Sequence, residues 1–344
     1  MKKPGRVSIG HVLGCAALAI GLAIGGTGAR AEDPIRIAIG DVPGADWLST
    51  LIAVEHAKAR GLDIEVLWLN QEDTANQAVL NGQAELGSGT PYAIVQNTGD
   101  QMRFLFQNYK TQFYAVANKS VHPDWASADG QPIVLHSEAG ATTVMARLVA
   151  AQNGIEFSEE IFLPGSEVRA NALLEGTINL AYLDATNKDR VLSERPGEFH
   201  VLPQGDIGAS DEAIFGRIEW IDSHGDDLAI LIDSFLHVYR RIAADPYYAL
   251  EERARLGLLP ELPPEMDEAV AKYMIQAAAD GIYSPNLGAR EAAENDLVFF
   301  AAGGQIVGND PAIENFWNLA PLDAALGRLG IATVDYATDA SVGD

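Results

Sequence analysis

The residues best placed to do chemistry are hydroxyls and carboxylates at the seams between apolar runs and helical patterns. Residues 135–154 read LHSEAGATTVMARLVAAQNG, so an apolar run gives way to Ser137, Thr142 and Thr143 before apolar residues return at helical spacing. Ser88 and Thr90 stand at a second seam, Asp41 and Trp47 at a third, and Asp184 at a fourth, directly after Tyr182-Leu183. Hydroxyls beside the free N–H groups of a helix start bind polar groups, and a carboxylate there takes a donor. Helix capping favours the same residue types, and it accounts for any one seam taken alone.

Bond-making chemistry is poorly supplied. The chain has one cysteine, Cys15, and seven histidines at positions 11, 56, 122, 136, 200, 224 and 237, none paired at H-x-x-x-H or H-E-x-x-H spacing. That spacing leaves a zinc site unsupported. Neither a G-x-S-x-G elbow nor a G-K-[ST] phosphate loop occurs. His136 adjoins Ser137, but neighbours at a strand end point to opposite faces. The expectation is a protein that is not an enzyme, with no cofactor and no metal.

The elements that must position these residues alternate. Residues 35–39 and 64–68 read as strands and helices follow each, while Pro91 fits the first turn of a helix from Tyr92. Residues 103–108 and 113–118 read as further strands, and the pattern restarts at Ile133. Strand and helix in alternation imply parallel βαβ units, whose right-handed crossovers bring all strand-to-helix turns to one sheet edge. Ligands bind open α/β sheets at that edge.

One half echoes the other. NQAVLNGQAEL (76–86) and ANALLEGTINL (170–180) share Ala78/Ala172, Leu80/Leu174, Gly82/Gly176 and Leu86/Leu180 at an offset of 94. Gly44 and its successors align with Gly140 and its successors at an offset of 96. Thr90 then corresponds to Asp184. Two α/β lobes follow, 32–117 with 209–333 and 118–208, with the chain crossing back near 208–211. Beyond residue 213 the pattern is a strand at 213–217 and then long helices, at 228–243, 247–256, 266–279, 289–301 and 312–329, expected to cover the first lobe. The tail 334–344 is expected to be mobile.

The chain has 344 residues, 48% apolar and 21% charged, enough for two such lobes. Lys2, Lys3 and Arg6 precede an apolar run that is shorter than the roughly 20 residues a spanning helix needs and ends at Ala29-Arg30-Ala31. That is the pattern of a secretory signal peptide over residues 1–31, cleaved after Ala31. Val12-Leu13-Gly14-Cys15 loosely matches a lipoprotein cleavage box, yet most of the apolar run follows the cysteine, so a soluble exported protein is expected. Losing the four basic residues of the leader and no acid takes the net charge from −25 to −29. Such a surface repels nucleic acid and anionic lipid.

In order and spacing, the segments GSGTPYAIVQ, SEAGATTVMARLVAAQNGI, ANALLEGTINLAYLDA and AIFGRIEWIDSHGDDLAILIDSF, behind a signal peptide, resemble the solute-binding proteins of ABC importers in the nitrate, sulfonate and taurine group. The resemblance spans nearly all the mature chain. It implies a type II periplasmic-binding fold, α/β, with two parallel-sheet lobes joined by two crossover segments and a ligand cleft between them. It implies a periplasmic monomer that captures a small molecule and delivers it to an inner-membrane ABC permease. Carried over position by position, the ligand-binding residues are Asp41, Trp47, Ser88, Thr90, Ser137, Thr142, Thr143 and Asp184. Asp211 and Glu212 come from the second crossover. Taurine binders in this resemblance carry an aromatic residue where Asp184 stands.

The five turns 40–46, 69–74, 87–91, 136–143 and 182–187 contain no Lys or Arg, but include Asp41, Asp46, Glu72, Asp73, Glu138 and Asp184. A bare dianion meets repulsion there. The expected ligand is a small zwitterionic, cationic or neutral polar organic molecule, amine-, amino-sulfonate- or pyrimidine-like, against an aromatic wall drawn from Trp47, Tyr92, Tyr109 and Tyr182. An oxyanion binder, and a protein that presents its ligand to a membrane sensor, are the alternatives.

Overall fold

The computed structural model describes residues 34–138, 140–204, 209–262, 266–308 and 311–333. The signal peptide read at 1–31, the tail at 334–344 and part of the second crossing lie outside the described residues.

The first sheet takes strands β1 (Ile35–Ile39), β2 (Ile64–Trp68), β3 (Leu86–Gly89) and β4 (Met102–Lys110), separated by helices α1 (Leu48–Ala59), α2 (Glu72–Leu80) and α3 (Tyr92–Thr98). The chain then enters a second sheet through β5 (Phe113–Asn118). There follow β6 (Pro132–Leu135), α4 (Ala141–Asn153), β7 (Glu159–Phe162), α5 (Ser166–Leu174), β8 (Leu180–Asp184), α6 (Ala185–Glu194) and β9 (Phe199–Val201). It returns through β10 (Ser210–Arg217) and ends in α7 (Ile218–Ser223), α8 (Gly225–Ala244), α9 (Tyr247–Leu256), α10 (Asp267–Ala279), α11 (Ala289–Ala302) and α12 (Ala320–Leu329).

The two sheets have matching topologies, β2-β1-β3-β10-β4 and β7-β6-β8-β5-β9. In each, the first three strands run parallel and the fourth runs antiparallel to both its neighbours. That antiparallel strand is always the one that has just crossed from the other sheet. Phe113–Asn118, read from sequence as first-lobe chain, therefore belongs to the second sheet, where Phe113 pairs with Asp184 and Ala117 with Leu180. The two crossings touch, because the Thr111 N–H donates to the Ala209 carbonyl at 2.8 Å.

The sequence repeat is a structural one. Helices α2 and α5 both have nine residues and start 94 positions apart, at Glu72 and Ser166. In each half the chain leaving the parallel strand beside the crossing strand, β3 or β8, is tied back to that helix start. The Thr90 N–H donates to Glu72 Oε1 at 3.1 Å, and the Asp184 N–H donates to Ser166 Oγ at 2.9 Å.

Three apolar clusters hold the fold. The amphipathic α8 buries Leu228, Leu231, Ile232, Phe235, Leu236 and Tyr239 against α1 and the first sheet. A second cluster, which includes Tyr92, Phe104, Val144, Leu297 and Phe300, runs from the first sheet to the helices of the second. A third lies between the second sheet and α5 and α6. The terminal helices do more than cover the first sheet, since α11 packs on α4 and α10 on α6. The continuous helix expected at 312–329 is broken. Its first part is a short 3-10 turn, Ile313–Asn315, then Trp317 bridges to Phe104, and α12 begins where Pro321 occupies its first turn. Proline there costs no helical hydrogen bond.

Candidate functional site

The strand-to-helix turns of both sheets face a shared cavity of about 260 Å³. The first sheet supplies Asp41 and Asp46 after β1, Glu72 at the start of α2, Tyr109 from β4, and Asp211 and Glu212 from β10. Opposite stand His136, Gly140 and Thr142 at the start of α4, Arg169 on α5 and Asp184 at the end of β8. A third side comes from the terminal region and is apolar, with Met266, Val270, Tyr273 and Ile282.

Glu72 stands where the two halves meet. Only 6% exposed, it accepts from the Thr90 N–H on its own sheet and from Ser137 Oγ, at 2.9 Å, on the other. The turn around it is built to let it close. A Cβ at Gly40 would lie 2.2 Å from the Glu72 Cα, and one at Gly140 would lie 2.8 Å from Ser137 Oγ. Burial raises the Glu72 carboxyl above its usual range.

Burial is also the main reason the carboxyls of Asp41, Asp46, Asp211 and Glu212 sit high. Asp41 is raised by burial, with the Val42 N–H at 2.8 Å and the positive charge of Arg169 opposing. Asp46 is pushed well up by burial and by Asp41 and Asp184. Asp211 is pushed well up by burial and by Glu72, and Glu212 by burial and Asp211. Asp184 caps α6, its Oδ1 accepting from the Asn187 N–H at 2.7 Å. His136 is driven down to about 3 by burial and by Arg169, so it is neutral near pH 7.

Arg169 is the charge that the turns did not disclose. It is 1% exposed, donating Nε to the Tyr182 carbonyl at 2.7 Å and Nη1 to the Leu163 carbonyl at 2.8 Å. Asp184, Asp41 and Asp211 all act on it electrostatically, yet none approaches within the 4 Å of an ion pair. Basic groups therefore reach the cleft from outside the five turns. The turns themselves carry none, but α5 contributes Arg169 and the first crossing contributes Lys110. No motif in the sequence marks it, since an arginine within a helical pattern reads as solvated surface.

The remaining sequence-derived candidates divide. Asp41, Thr142, Asp184 and Asp211 line the cavity, as does Glu212. Thr142 Oγ1 accepts from the His136 N–H at 3.1 Å. Ser88, Thr90, Ser137 and Thr143 are buried behind the lining. Ser88 Oγ donates to Glu212 Oε2 at 2.7 Å, and Thr143 Oγ1 donates to the Ser137 carbonyl at 2.6 Å. They position the lining rather than form it.

Trp47 is also corrected. It packs edge-on against Trp68 and Tyr109, at 5.8 and 5.6 Å between ring centres, beneath the cavity floor. Among the described residues its indole N–H has no partner within hydrogen-bond reach, though it lies near enough to Asp41 to favour the ionised carboxylate. Tyr92 and Tyr182 are core residues too. Of the expected aromatic wall only Tyr109 lines the space, joined by Tyr273, which the sequence reading did not single out.

No family model matches the chain, and no curated protein matches it in sequence. Its folded form does have counterparts among solved structures. One from Bordetella bronchiseptica RB50 is 17% identical, with a TM-score of 0.68 over 86% of this chain and 98% of that one. The periplasmic nitrate-binding protein NrtA from Synechocystis PCC 6803 is 13% identical, with a TM-score of 0.64 over 87% and 89%. This is the periplasmic-binding-protein fold. The alkanesulfonate-binding protein SsuA from Xanthomonas axonopodis pv. citri, bound to MOPS, shares it at 15% identity and a TM-score of 0.56, over 83% and 99%. In a periplasmic-binding-protein fold with matched sheets, the shared cavity sits where the carboxyl ends of both sets of parallel strands converge, which is where open α/β sheets take ligands.

Proposed function

We propose that the protein is the solute-binding component of an ABC importer, exported to the periplasm, which captures a small polar organic molecule and hands it to a membrane permease. The observation that carries this reading is the cavity itself, built from the strand ends of both sheets and closed over by the Glu72–Ser137 contact. A ligand held there touches both halves. The contact between the two crossings, Thr111 to Ala209, gives the halves a narrow connection about which to open.

The lining supports a zwitterionic, cationic or neutral ligand over an oxyanion. Asp41, Asp46, Glu72, Asp184, Asp211 and Glu212 outnumber Arg169 and Lys110. Within this reading the side chains bind and orient but transform nothing. His136 and Ser137 form no acid–base pair, since the Ser137 hydroxyl is committed to Glu72.

The test is to denature protein purified from its native periplasm and identify what is released by mass spectrometry, then titrate that compound back. One small organic solute binding at one per chain is expected. Release of nothing, together with no thermal stabilisation by any small solute, would refute the reading.

A further inference from the structure

We infer that the ligand carries a protonated nitrogen on an apolar body, with the charged head among Asp41, Asp46 and Asp211 and the body along Tyr109, Val270, Tyr273 and Ile282. This rests on the solute-binding reading and narrows it. It sets aside neutral solutes and assigns the two ends of the site.

The acidic end is open to a ligand. Among the described residues no side chain donates a hydrogen bond to Asp46 or Asp211, although both line the cavity and are only partly exposed. Asp41 takes one bond, from the neighbouring Val42 N–H. Asp46 has only the backbone N–H groups of its own turn, and partly buried carboxylates so thinly supplied favour a cation that brings both charge and N–H groups. The nearby cation does not fill that role. Arg169 is pinned by the Tyr182 and Leu163 carbonyls, and its Nη2 has no protein partner among the described residues. A guanidinium held by those two carbonyls offers its remaining N–H groups only to an acceptor, so it does not take the place of the ligand's cation.

The opposite side fixes the rest of the molecule. Val270 and Ile282 are buried apolar residues, and the Tyr109 and Tyr273 rings stand beside them. A head of charge alone leaves this wall against water, whereas an apolar body covers it. Tyrosine faces also attract a cation that passes over them. A hydrated inorganic ion makes no use of that side.

The experiment holds the body constant and varies the head, then reverses the comparison. Benzylamine, benzyl alcohol and phenylmethanesulfonate are titrated into the full-length mature chain by calorimetry and thermal shift, followed by methylamine and butylamine. Benzylamine is expected to bind at least tenfold more tightly than the alcohol or the sulfonate, and butylamine more tightly than methylamine. Asp46→Asn and Asp211→Asn each lower benzylamine affinity about tenfold with unchanged circular dichroism. Tyr273→Ala lowers benzylamine affinity and leaves methylamine unaffected. Preferential binding of the sulfonate or the alcohol overturns the inference while leaving solute binding intact. Absence of binding by every probe, with no solute released on denaturation, overturns both. Benzylamine affinity unchanged from wild type in both Asn variants overturns the placement of the head.

Discussion

Ser137 and Glu72 stand 65 positions apart in sequence and on different sheets, yet the Ser137 hydroxyl donates to the Glu72 carboxylate at 2.9 Å. Because Glu72 also receives the Thr90 N–H, one side chain ties the third strand of the first sheet to the first helix turn of the second. Its counterpart in the repeat, Ser166, receives the Asp184 N–H. Ser166 is too short for a second reach, so the clasp is one-sided.

Removing the clasp should open the molecule without unfolding it. Ser137→Ala deletes only the bond between the halves and leaves Glu72 with its Thr90 partner. The loss of one buried bond to a charged group is worth about 1.5–3 kcal/mol. Small-angle scattering of the ligand-free variant should show a larger radius of gyration than wild type, with the unfolding midpoint lowered only modestly. An unchanged radius of gyration would mean that Glu72 merely packs the turn.

Arg169→Gln should move a histidine at a distance. Arg169 holds His136 below its ordinary range alongside burial. Without the guanidinium, the His136 titration followed by NMR should move upward from about 3. The same change strands the Tyr182 and Leu163 carbonyls, at a cost of about 1–3 kcal/mol each. A histidine titration that stays in place would show that burial alone sets it.

Much of this was legible in the sequence, for identifiable reasons. Ile35–Ile39, Ile64–Trp68 and Tyr247–Leu256 fall where periodicity and Pro246 set them, because their local signals and their packing agree. The repeat exposed the second half, and the turns exposed Asp41, Thr142 and Asp184, which line the cavity. What local reading missed depends on long-range geometry. Phe113–Asn118 looks the same in either sheet until Asp184 and Leu180 are brought beside it. Trp47 sits at a cleft turn but folds inward onto Trp68 and Tyr109. Arg169 lies in the middle of α5, where an arginine in sequence reads as solvated surface. Tyr273 and Val270 come from a helix more than 80 positions beyond the last cleft turn, with no motif to connect them.

Gly303 marks how closely α11 and α4 are packed. A Cβ there would fall 2.3 Å from Val144 Cγ1 and 3.0 Å from its Cβ, and the glycine has an ordinary helical φ of −77°. Conformational freedom is therefore not its purpose. Gly303→Ala should cost about 1–3 kcal/mol by overpacking, and Val144→Ala in the same chain should restore most of it. Urea denaturation of the single and double variants measures the coupling, and additive effects would place the two residues out of contact.

Asp296 gives the second crossing a dependence on pH. It is fully buried on α11 and accepts from the Ser210 N–H at 2.6 Å and from the Tyr92 hydroxyl at 2.8 Å. Burial lifts its carboxyl from the ordinary 3.8 to about 6. The folded state thus holds a proton that the unfolded chain releases between those values, and this residue's contribution to stability falls as pH rises from about 4 to about 6 and is level outside that window. The full excursion corresponds to about 3 kcal/mol. Asp296→Asn keeps an acceptor for Ser210 and cannot ionise. The stability of wild type relative to this variant, from urea midpoints, should therefore be higher at pH 4 than at pH 8. Parallel curves across that range would show that Asp296 keeps the same charge when folded as when unfolded.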